Sequence, residues 1–83
     1  MIALERYAKG RGIDLQGLTI GISPTKRHYT LLKSYKFNLH HGHAVVRKMM
    51  IQDIYDHLDL GSNDHAADTF IVLGLFNSEM RGE

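Results

Sequence analysis

Apolar and polar positions change rhythm several times along this chain, and each change predicts an element. Ile2, Leu4, Tyr7 and Ala8 supply the apolar groups of a short helix over Ile2–Lys9. Gly10 is placed to close it, because helices often end on a residue at positive φ. Leu18, Ile20 and Ile22 then alternate with Thr19, Gly21 and Ser23, a period of two that predicts a strand with one buried face. The stretch Ser23-Pro24-Thr25-Lys26-Arg27 carries two signals, a helix start and the loop of a β-hairpin. The residues that follow decide for the hairpin. Tyr29, Leu31, Tyr35, Phe37 and Leu39 share one parity, broken only by Lys33, while His28, Thr30, Ser34, Lys36 and Asn38 share the other, broken only by Leu32. Aromatic and aliphatic side chains in alternation favour a strand.

After His40-His41-Gly42-His43 the period becomes helical. Val46, Met50, Ile51, Ile54, Tyr55 and Leu58 gather on one arc, opposite Lys48, Gln52, Asp56 and Asp59. Gly61 ends this helix, and a polar turn follows. Thr69–Phe76 contains the unbroken run Phe70-Ile71-Val72-Leu73, which suits a strand covered on both faces. The expected architecture is α+β, in the order α-β-β-α-β: a short N-terminal helix, a β-hairpin, one long amphipathic helix and a buried C-terminal strand. The helix lies on one face of a three-stranded sheet. The 83 residues make one domain, 1–83. A chain this short, with neither disulfide nor structural metal, has a thin stability margin, and the other face of the last strand needs cover from the first helix or from a second copy, so a homodimer enters as an expectation.

Charge sharpens the picture more than the net value of +1 suggests. No Asp or Glu occurs from Leu15 to Gln52, where Lys26, Arg27, Lys33, Lys36, Arg47 and Lys48 all lie. From Asp53 onward Asp53, Asp56, Asp59, Asp64, Asp68, Glu79 and Glu83 face only Arg81. A basic block of this kind creates a local potential for an anionic partner. Val45 and Met49 lie beside the polar face of the helix, where apolar groups mark an interface. The expected contact surface is therefore Lys26, Arg27, Lys33, Lys36, Val45, Arg47, Lys48 and Met49.

Candidate chemistry is sparse. There is no cysteine, no Gly-rich phosphate loop and no nucleophile elbow, so no cofactor is called for and no enzyme activity is expected. Asp53 and His57 stand one helical turn apart, the spacing of an acid–base pair or of a surface ion pair. His40, His41 and His43 could place imidazoles on a metal ion, but three loop histidines fall short of a zinc ligand set. His41-Gly42-His43, with Tyr55 on the following helix, resembles the motif of HUH-type single-strand nucleases, with Gly42 where that motif carries a bulky apolar residue. No apolar run reaches the length of a membrane span. Glu5 and Arg6 stand where a signal peptide would need its apolar stretch, so a cytoplasmic location is expected. The resulting expectation is a small non-catalytic regulatory or inhibitor protein that binds, through its basic surface, a macromolecular partner with an acidic surface, such as a nucleic-acid-handling protein. Direct nucleic-acid binding is the first alternative, and a metal-dependent activity at the histidine cluster the second.

Overall fold

The computed structural model describes Ile2–Arg81, and among these residues every regular element is helical. The elements are α1 (Ile2–Gly10), α2 (Leu15–Thr19), α3 (Lys26–Lys36), a single 3₁₀ turn (Leu39–His41), α4 (His43–Asp59) and α5 (Asn63–Arg81). The expected α+β architecture is thereby overturned: no strand, and hence no three-stranded sheet, occurs among the described residues.

Each failed strand has its own physical reason. The Leu18/Ile20/Ile22 alternation spans the end of α2 and the connection after it, and all three side chains are exposed. In the hairpin region the buried positions are His28, Leu32 and Tyr35, with Leu31 and Leu39 half-buried against the core. That set has helical spacing, with His28 as its first member. Local chemistry agrees, since the backbone N–H of Thr25 donates to His28 Nδ1 at 2.9 Å. This bond belongs to a capping box in which a histidine does the work usually given to Glu or Gln. The last segment is a helix for a packing reason. α5 lies at the centre of the molecule and packs on α2, α3 and α4. Ala66, Thr69, Val72, Leu73 and Phe76 are buried, and Phe70, Ile71 and Leu75 are half-buried. A helix enclosed on most sides is apolar most of the way round, and over eight residues this looks like a doubly covered strand.

α4 lies where the helical period placed it, with Val46, Met50, Ile54 and Leu58 buried at four-residue intervals. It ends in a Schellman turn: Ser62 N–H donates to His57 O at 2.8 Å and Gly61 N–H to Leu58 O at 3.1 Å. Gly61 sits at φ +76°, a conformation that favours glycine. The short connection makes α4 and α5 an antiparallel pair. α1 packs on α2 and α4, burying Leu4 and Ala8. The glycine at positive φ after α1 is Gly12 (φ +80°) rather than Gly10. No helix among the described residues is long and apolar enough to cross a membrane.

Candidate functional site

The two charge blocks meet at the surface seam where α3 lies along α5. Basic α3 packs along α5, so Arg27 Nη2 contacts Asp68 Oδ1 at 3.0 Å and Lys36 Nζ contacts Glu79 Oε1 at 2.9 Å. Arg47 on α4 donates to the Asn77 side chain at 2.9 Å and lies over the Phe76 ring. Much of the expected basic surface is thus engaged within the chain. Lys26 and Lys33 are the exposed cations of α3 that form no ion pair among the described residues.

His28 organises the start of α3. Its ring is 2% exposed; Nδ1 accepts the Thr25 amide, which leaves the ring proton on Nε2, and Nε2–H donates to Asp68 Oδ1 at 2.9 Å. A His–Asp contact suggests a catalytic pair, but both nitrogens are committed, so this imidazole has no lone pair left for a substrate. It fastens the cap of α3 to α5. Burial alone would raise the Asp68 carboxyl; the hydrogen bonds from His28 and Arg27 and the guanidinium charge outweigh it and hold the group below its usual range.

The outer face of α3 has a different composition. At about 3.6 residues per turn, Lys26, Tyr29, Thr30 and Lys33 fall on one arc opposite His28, Leu32 and Tyr35, and Phe37 continues that arc past the helix end. Tyr29 is 53% exposed and Phe37 73%. Two aromatic rings standing in solvent beside two unpaired lysines give this face a mixed cationic and aromatic character. Parity reasoning put both rings in a core, so it missed them. Helical spacing counted from His28 would have placed them outside.

Beside this face runs an open cleft of about 550 Å³ between α3, the end of α4 and the start of α5. Lys26, Thr30, Leu31, Ser34 and Tyr35 form one wall, and His57, His65 and Thr69 lie on the other elements. The Schellman turn brings His57 and His65 together, their rings stacked with centroids 5.4 Å apart. Tyr35 OH donates to Asp53 Oδ2, and burial, followed by that contact, pushes the phenol far above its usual value.

Several expected positions separate from this site. Val45 and Lys48 are exposed on α4, whereas Met49 is half-buried against the core. Asp53 is engaged by Tyr35 and not by His57. His40 and His41 stack at 4.0 Å on the 3₁₀ turn, while His43 starts α4 and packs edge-on to Phe76. No group of three metal-ligating side chains forms among the described residues. The extended His-x-His pair of a nuclease motif therefore has no strand to sit on, and Tyr55 packs edge-on to Tyr7. Comparison of this chain with protein-family models, curated proteins and solved structures finds no match in any of the three.

Proposed function

We propose that this chain is a small non-catalytic binding protein that works in the cytoplasm, with the outer face of α3 as its contact surface and single-stranded nucleic acid as its partner. The observation that carries this reading is the pair of exposed rings, Tyr29 and Phe37, interleaved with the unpaired Lys26 and Lys33. Lysines contact phosphates, and exposed aromatic side chains stack on unpaired bases, each stack contributing about 1–3 kcal/mol. α3 extends about 16 Å at 1.5 Å per residue, long enough to track a few nucleotides. The His28–Asp68 pair serves the fold rather than a reaction, because both ring nitrogens are engaged.

Fluorescence anisotropy with a labelled single-stranded oligonucleotide tests the proposal. Tyr29→Ala and Phe37→Ala should each weaken binding roughly fivefold to a hundredfold. The salt dependence should be shallow, with a slope of about −1.4 for two neutralised phosphates. Wild-type affinity in both ring variants, or no binding by the parent protein at low salt, refutes the proposal.

A second reading, a regulatory or inhibitor protein that docks on an acidic protein surface, draws on exposed Val45 near Lys48. Val45→Asp is its probe, because Met49 contributes to the core and its substitution would report on folding. A protein partner retained after nuclease treatment and lost with Val45→Asp would favour that reading. With α5 covered by α2, α3 and α4 of the same chain, no uncovered strand face calls for a second copy, and a homodimer rests on the small size of the chain alone.

A further inference from the structure

The cleft beside α3 and the outer face of α3 are one continuous surface. Lys26 and Thr30 belong to both: they lie on the exposed arc and also line the cleft. A strand running along the arc therefore passes the mouth of the cleft. We infer that the cleft receives one unstacked base of the strand held on α3, a step that rests on the nucleic-acid reading of that face.

Charge selects the kind of occupant. The carboxylate in the cleft wall, Asp68, accepts from His28 and Arg27 on Oδ1 and is largely neutralised by the guanidinium, and Asp53, behind Tyr35, accepts from the phenol. The side chains left to meet an occupant include the Lys26 ammonium, the exposed Arg27 guanidinium, the Thr30 hydroxyl, and the imidazoles of His57 and His65. Ser34 donates to Thr30 O at 3.2 Å and keeps its oxygen lone pairs as acceptors. Such a set, weighted towards donors and cations, suits a body with hydrogen-bonding edges and an anionic tail. Leu31, the Tyr35 ring and Thr69 give the walls an apolar character, which favours a flat heteroaromatic body over a sugar or a bare phosphate. At about 550 Å³ the cleft lies within the size range of small-ligand sites. The stacked imidazoles at its edge add flat surface on which a base can lie.

Two measurements on the full chain test this. In the first, histidine ring signals are followed by NMR as adenosine monophosphate is added, with ribose 5-phosphate as a control that lacks a base. The expected result is movement of the His57 and His65 signals with the nucleotide and not with the control. In the second, Ser34→Phe fills the cleft while leaving Lys26, Tyr29, Lys33 and Phe37 in place. Its oligonucleotide affinity should fall roughly tenfold with the salt slope unchanged, in a protein whose helicity by circular dichroism matches the parent. Unmoved histidine signals together with parental affinity in Ser34→Phe overturn the cleft assignment while leaving the α3 face standing. Failure of the parent to bind any oligonucleotide removes the α3 reading, and the assignment with it.

Discussion

Replacing His28 by alanine should cost this protein a large part of its stability. The ring is buried, accepts the Thr25 amide at 2.9 Å and donates to Asp68 at 2.9 Å. Loss of the capping bond costs about 1 kcal/mol. Loss of a hydrogen bond to a charged carboxylate costs about 1.5–3 kcal/mol. The space left by the ring adds a cavity contribution. Together these give about 3–5 kcal/mol, against a total of about 4–12 kcal/mol for a domain of 83 residues. Urea denaturation followed by circular dichroism reads the loss directly, and the thermal midpoint should fall by about 12 °C or more. A double-mutant cycle with Asp68→Ala isolates the contact across α3 and α5, with a coupling of about 1 kcal/mol or more expected. A loss below about 1 kcal/mol for His28→Ala, or a coupling near zero, would show that His28 does not fasten α3 to the core.

Other consequences follow from the same geometry. The Asp68 carboxyl sits below its unfolded value, so its contribution is fully present above about pH 4 and disappears as pH falls through the folded value. The stability difference between the parent and Asp68→Asn, measured by urea titration, should therefore be flat near neutrality and shrink in acid. Tyr35 is raised, so its contribution holds below about pH 10 and declines in alkali. An ultraviolet titration should show one of the four tyrosines ionising only as the protein unfolds. The Lys36–Glu79 pair is partly exposed, and a double-mutant cycle across it should return no more than about 1 kcal/mol.

The sequence revealed this fold unevenly. α4 was legible because its apolar residues repeat every four positions over many turns and its stop signal, Gly61, is followed by a polar turn. α3 was hidden by one residue. With His28 counted as polar, the positions from Tyr29 to Leu39 alternate; with His28 counted as core, 28, 32, 35 and 39 form a helical stripe. Nothing local marks a histidine as buried when its carboxylate partner, Asp68, lies 40 residues further along. α5 was hidden for the opposite reason. It is enclosed by its neighbours, so its sequence lacks the polar stripe that reveals a surface helix. The candidate site shared the fate of α3. Lys26 and Lys33 were identified from charge alone, whereas Tyr29 and Phe37 were assigned to a core that belongs to the other side of the helix. The basic and acidic blocks were visible as blocks, but their pairing as Arg27–Asp68 and Lys36–Glu79 depends on α3 lying along α5.

The attachment of α1 sets the order in which this molecule comes apart. Among its described side chains α1 buries Leu4 and Ala8, and the polar hold on this end is Tyr7 and the following Arg11 on Asp59, a carboxylate that is itself about half in water. α3, α4 and α5, by contrast, interlock around Phe76, Leu73 and Ile54. Amide hydrogens of α1 should therefore exchange with deuterium through a partial opening well below the free energy of global unfolding, while those of α4 and α5 wait for the whole domain. On that expectation the first helix releases ahead of the rest, and its departure would uncover the part of α4 against which Tyr7 packs on Tyr55.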